Sequence, residues 1–317
     1  MMRYPVCLAA IALIGSGVPA FVPSTAHAQT LPDIQDLVIQ GEQVNRNAEA
    51  ARAPTLPYAA VDDGAVDGEA GIYVLTFNKI FQVSAGAAIG YTDNPTRTSA
   101  DTGGSFFADF SAGAGVATRI DDKIDLGASL SMNAREFFKD YGPSSRSVSG
   151  AVSAGTGIVG PLYLGVAGFG GFSYDGAFEH GVSFYGLSAT LSALLPVTPR
   201  LAVRPGVGAV RQWSGIDENR NTSLSGSIDA SYAFSPTVSL LARGVISVRW
   251  YDDFYEDVTF VSRRDTLYGV SATLGWRPSE AFSLSASIAY DNQESRLFLS
   301  DFDALELGLA ITARYRF

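Results

Sequence analysis

The sequence predicts an all-β protein: a transmembrane antiparallel up-and-down β-barrel of about twelve strands, preceded by a short N-terminal periplasmic tail. Three observations predict it. The chain opens on an export signal, it alternates apolar with small or polar residues from about Phe77 to its end, and its connections alternate between long and short.

The opening residues carry the export signal. Arg3 supplies the positive start, Leu8 to Leu13 lies in an apolar run, and Ala26-His27-Ala28 before Gln29 is a small-residue cleavage site. Residues 1–28 are therefore expected to be removed. Cys7 leaves with them, so the exported chain has no thiol for a disulfide, a nucleophile or a metal. His27 leaves too, and His180 is then the sole histidine, which excludes most catalytic and zinc constellations. The whole chain has a formal net charge of -10, and losing a segment with one arginine and no acid takes it to about -11. An acidic balance of this size argues against a nucleic-acid partner. No stretch reaches the ~18 unbroken apolar residues of a spanning helix, so a membrane passage must be made by strands.

Residues 29–76 read as an acidic periplasmic tail. Asp33, Asp36, Glu42, Glu49, Asp62, Asp63, Asp67 and Glu69 face only Arg46 and Arg52, with Pro32, Pro54 and Pro57 interspersed and one short helix expected from Leu31 to Asn45. Such a segment is too small and polar to bury a core of its own.

Residues 77–317 form the barrel. Phe81, Val83, Ala85, Ala87, Ile89 and Tyr91 alternate with Gln82, Ser84, Gly86, Ala88, Gly90 and Thr92, and Ile124 to Asn133 repeats the pattern. Segments of this kind start near Phe77, Ser105, Lys123, Arg146, Leu162, Val182, Arg200, Thr222, Val238, Thr266, Phe282 and Leu305. Between them, Asn94 to Gly104, Tyr141 to Ser145, Asp175 to Gly181, Ser214 to Asn221, Asp252 to Arg264 and Asp291 to Asp303 are long. Asp121-Asp122, Val159 to Pro161, Val197 to Pro199, Ser235-Pro236 and Pro278 to Ala281 are short. Long outer loops and short periplasmic turns are the asymmetry of an outer-membrane barrel. A soluble β-sandwich alternates as well, but it needs no such rhythm.

Aromatic residues on the apolar phase predict two girdles at headgroup level. Phe81, Phe234, Trp276, Phe282, Tyr315 and Phe317 fall at the periplasmic rim, and Tyr91, Phe106, Trp213, Trp250, Tyr268 and Tyr290 at the outer rim.

From Leu305, alternate residues through Leu307, Leu309, Ile311 and Ala313 to Tyr315 and Phe317 share one face. This ending resembles the terminal signature of bacterial outer-membrane barrels, which implies recognition of Tyr315 and Phe317 by the barrel-assembly machinery. The first strand, Ser84-Ala85-Gly86-Ala87-Ala88-Ile89-Gly90-Tyr91-Thr92-Asp93-Asn94, resembles the opening of the β-barrel porin 2 family. The resemblance implies a conduit or accessory role in exopolysaccharide export from the Gram-negative envelope. The chain has fewer strands than the larger members of that family.

The polar phase predicts a basic lumen. Arg119, Lys123, Arg135, Lys139, Arg200, Arg204, Arg243, Arg249, Arg277, Arg314 and Arg316 fall on it, against Asp109, Asp125, Asp229 and Glu306. Arginine and lysine inside a pore select anions, so the expected function is a porin-like channel for anionic solutes or acidic polysaccharide. The same charges would also satisfy ion pairs within a filled barrel, which gives the alternative of a non-conducting structural or docking barrel.

No cofactor is expected. Acidic loop clusters (Asp252, Asp253, Glu256 and Asp257; Asp217 and Glu218; Asp301 and Asp303) suit solvated loops, or divalent cations bridging to lipopolysaccharide, the expected outer-leaflet partner. A lipid hydrolase would need His180 with a serine such as Ser183, and no third group anchors that pair, so the chain is not expected to be an enzyme. Gly168, Gly170 and Gly171 lie in an apolar strand with no helix after it, so they are not a phosphate cradle, and crowding at the wall accounts for them. Asn221-Thr222-Ser223 matches a glycosylation acceptor but reads as loop.

Overall fold

The computed structural model describes residues 81–97, 99, 103–120, 124–138, 144–175, 181–215, 219–235, 237–254, 262–279, 281–296 and 300–316. The export signal, the acidic tail, Lys123, Lys139, His180 and Phe317 lie outside them.

Thirteen strands follow one another: β1 Phe81–Thr92, β2 Ser105–Ile120, β3 Ile124–Phe137, β4 Ser145–Gly157, β5 Leu162–Asp175, β6 Gly181–Ala193, β7 Leu195–Thr198, β8 Leu201–Ser214, β9 Asn221–Ala233, β10 Val238–Phe254, β11 Ser262–Trp276, β12 Phe282–Ser295 and β13 Phe302–Arg316. Each long strand pairs antiparallel with its neighbours, β13 pairs back onto β1, and β6 pairs directly with β8. The sheet thus closes on itself with twelve staves, and no long strand is left as an edge. The thirteenth strand, β7, is a four-residue ribbon on β8 in a connection that the sequence reads as a plain short turn. Its Pro196 is compatible with an edge strand, where a missing N–H breaks no ladder.

Period-two alternation sets the register. Phe81↔Val116, Ala87↔Phe110 and Tyr91↔Phe106 put one set of side chains on the outer wall, while Ser84↔Gly113 and Arg204↔Asp229 put the other set inside. A one-residue slip would exchange the two faces, so the apolar set pins every pairing. The outer wall is apolar all the way round: Ile89, Phe110, Leu130, Val152, Leu187, Val207, Ile228, Val270 and Leu309 are each more than half exposed. A water-soluble barrel would not expose such a belt, whereas a bilayer covers it. Both aromatic rims are present. Phe81, Phe234, Trp276, Phe282 and Tyr315 are exposed at the short-turn end, and Phe106, Trp250, Tyr268 and Tyr290 at the other. Tyr185 and Phe172 join the outer rim, and Tyr185 stacks on Trp213 at 5.4 Å between ring centroids.

Several strands run further outward than the sequence pattern suggests. β10 continues past Trp250 to Phe254, β11 begins at Ser262, and β12 extends to Ser295, so stretches read as loop are ladder. This extension brings additional charged residues onto the inner face.

Interior glycines make room for rings. A Cβ at Gly90 would stand 2.3 Å from the Phe107 ring, and one at Gly186 would stand 2.4 Å from the Phe169 ring. Each ring lies across the glycine opposite it in register. Gly171 is crowded by backbone, its Cβ position being 2.3 Å from the Val148 carbonyl oxygen.

Candidate functional site: the barrel lumen

The interior divides into two halves of different character. Toward the short turns it is lined by small residues such as Ser84, Gly86, Gly113, Ser129, Gly206, Ser227, Ser287 and Gly308. Several of these positions are open, and Ser111, Thr190 and Ser287 are exposed. Toward the long loops the interior is packed. Ser105, Phe107, Arg135, Phe184, Gln212, Arg249, Tyr251, Arg263, Asp265, Gln293 and Phe302 are all buried there.

The packed half is held by charge. Arg135 on β3 forms a two-pronged pair with Asp109 on β2, both contacts 2.8 Å, and donates at 3.1 Å to each carboxylate oxygen of Glu306 on β13. Its guanidinium also lies 4.1 Å from the centre of the Phe107 ring. Arg97, in the connection after β1, reaches inward to Asp291 at 3.5 Å and Glu306 at 3.7 Å and lies over the Phe302 ring. It holds a left-handed backbone, φ 48, that side chains other than glycine rarely adopt. Nearby, Arg263 pairs with Asp265, which also accepts from Ser295, while Arg249 donates to the Tyr251 hydroxyl. Three arginines (Arg97, Arg135, Arg263) thus meet four carboxylates (Asp109, Glu306, Asp291, Asp265), and Arg249 is held by a tyrosine hydroxyl. Buried charges of this kind require such pairing.

The other half is richer in cations. Arg204 and Arg243 both face Asp229, at 3.1 and 3.5 Å. Arg314 lies on the inner face opposite Ser84, and Asp125 accepts from the Tyr163 hydroxyl. Arg119 and Arg316 occupy inner-face register positions opposite Asp125 and Gln82. Arg200 and Arg277 sit exposed in the short turns.

The structure therefore places Arg135, Arg204, Arg243, Arg249 and Arg314 on the inner face, with Arg135 and Arg249 in the packed half. Arg97, Arg263, Asp265 and Asp291 were missed because the sequence pattern assigns them to loops or their edges. The continuing alternation Arg249, Tyr251 and Arg263, Asp265 is the signal that could have found the latter pair. Ser183 lies on the outer face of β6, away from the lumen, so it adds nothing to this site. Among the described residues, no group of three or more His, Cys, Asp or Glu could hold a metal ion.

An all-round apolar wall, two aromatic rims and a polar, arginine-bearing interior define a transmembrane β-barrel of the outer-membrane type. No family model matches the chain, and no curated protein sequence does, so the likeness of its first strand to the β-barrel porin 2 family stays a local one. Solved structures with similar folds include an outer membrane channel from Pseudomonas putida F1, 12% identical over 79% of this chain and 100% of that one, with TM-score 0.51. They also include the NanC porin (10% identity, 72% and 98% coverage, TM-score 0.44). A third is the KdgM porin in complex with disordered oligogalacturonate (9%, 73% and 98%, TM-score 0.39).

Proposed function

We propose that the protein is an outer-membrane channel with a basic vestibule on the periplasmic side and a charge-paired constriction at the outer end, passing anionic solutes. The observation that carries this reading is the division of the lumen. Small side chains and more arginines than carboxylates line one half, and ion pairs on buried arginines cross the other. Cations lining a low-dielectric passage raise the local concentration of anions and lower their barrier to entry. The first-strand resemblance makes acidic sugars, and acidic polysaccharide from the envelope, the solute class to test first. Lipopolysaccharide is the outer-leaflet partner in this reading, and the barrel-assembly machinery reads Tyr315 and Phe317.

A second reading, a non-conducting docking barrel, is favoured by the depth of burial in the outer half, where Phe107 and Gln212 are 2% exposed. Planar-bilayer recording of the refolded protein in a salt gradient decides between them, with three preparations: the wild type, a form lacking residues 29–70, and R204Q/R243Q/R314Q. Anion-selective steps in the first two, with weakened selectivity in the third, support the channel. Steps only in the shortened form make the tail a plug. Silence in all three overturns conduction and leaves the docking role.

A further inference from the structure

Beyond Thr92 the chain leaves the wall in two stages. The ladder between β1 and β13 ends at Thr92 opposite Glu306, and one step further the Asp93 amide donates to the Leu305 carbonyl at 3.2 Å. An antiparallel ladder would have the Leu305 amide return that bond to the Asp93 carbonyl. It donates instead to the Asp93 side chain, 2.7 Å from Oδ1. Asn94 follows suit, its Nδ2 donating at 2.9 Å to the Asp303 carbonyl. Two side chains thus carry the pairing onward while the backbone turns away from β13.

The freed backbone makes a turn of Asn94, Pro95, Thr96 and Arg97, in which the Arg97 amide donates to the Asn94 carbonyl at 3.4 Å. Proline at the second position has its φ preset for such a turn. The base of the turn is tied as well. The Asn94 amide donates to Thr92 Oγ1 at 3.3 Å, and the Thr96 hydroxyl donates to Asn94 Oδ1 at 3.4 Å. Asp93 is exposed, whereas Thr92, Pro95 and Arg97 are buried, so the turn folds into the mouth of the barrel. Its fourth residue, Arg97, takes the left-handed backbone and reaches Asp291 and Glu306.

Arg97 stands where the two halves of the lumen meet. A space of about 40 Å³ beside it is lined by Arg97, Arg243, Leu267, Gly269, Asp291 and Glu306, and it holds no more than a few water molecules. Arg243 belongs to the cationic row on Asp229, and Glu306 to the pairs of Arg135. A long side chain held at this level narrows the way between vestibule and exterior.

We propose that Asp93 and Asn94 are positioning residues for Arg97. By bonding to β13 in place of the backbone they fold the connection inward and hold the guanidinium across the outer mouth, where it limits the width of the passage. The inference rests on the channel reading. A role confined to closing the seam between β1 and β13 would alter stability and leave conductance as it was.

The test pairs planar-bilayer recording with hydrogen exchange on the refolded protein. D93A and N94A should raise unit conductance as R97A does, and D93A/R97A should raise it no further than R97A alone, because the two residues act on one element. D93N keeps an acceptor at Oδ1 and should conduct like the wild type, whereas N94D loses the amide donor and should match N94A. The Leu305 amide should lose protection in D93A and keep it in D93N. Wild-type conductance in both D93A and N94A, or a further rise in D93A/R97A, overturns the inference while the channel reading stands. A wild type that passes no current overturns both. If D93A fails to fold, the comparison of N94A and N94D with R97A still decides it.

Discussion

Arg97 combines an unfavourable backbone with a well-held side chain. A left-handed conformation outside glycine costs on the order of 1–3 kcal/mol and persists where the surroundings fix it, here Asp291, Glu306 and the Phe302 ring. Arg97→Ala removes the side chain that crosses the outer end of the lumen, and the expected result is a larger unit conductance from a folded barrel in planar bilayers. Arg135 has a different role. Removing it leaves Asp109 and Glu306 facing one another, and Arg135→Ala should cost about 3–5 kcal/mol, read as a lower urea midpoint in lipid vesicles. The sequence made Arg135, Asp109 and Glu306 visible as lumenal residues because each lies inside an unbroken alternation. It could not reveal that they meet, because that contact depends on the closure of β13 upon β1.

At the scale of the strand, the pattern that made the barrel legible is the same one that stabilises it. Leu309 is 59% exposed near the middle of β13, and a charge there must enter hydrocarbon. Leu309→Arg should cost about 2–4 kcal/mol, against about 0–1 for Phe282→Arg at the rim, measured by refolding titrations in the same lipid. Gly90 tests the interior in the same way. Leucine there displaces the Phe107 ring and should cost about 1–3 kcal/mol, with part of the loss recovered in G90L/F107A. Strand ends were the less legible part. Loop-like composition conceals ladder hydrogen bonds that continue above the membrane, so Asp265 and Asp291 read as loop or its edge although their register places them inside. The ribbon β7 was hidden for the opposite reason: Pro196 argues against a strand unless the strand is an edge.

For the molecule as a whole, the two ends of the barrel differ in what lines them. The short-turn end is open and cationic within and apolar without, while the long-loop end is packed within and charged without. Both contrasts lie along the membrane normal, so they follow from the direction of insertion alone. The seam where the sheet closes has a further consequence for biogenesis. It joins Thr92 to Glu306, residues from opposite ends of the described chain, and the carboxylate of Glu306 is the shared anchor of Arg97 and Arg135. Until the final stave arrives, those two guanidinium groups have no common partner and the outer mouth has no clasp. Completion of the wall and assembly of the ion-pair cluster at the outer mouth therefore coincide, and a barrel one strand short would lack both.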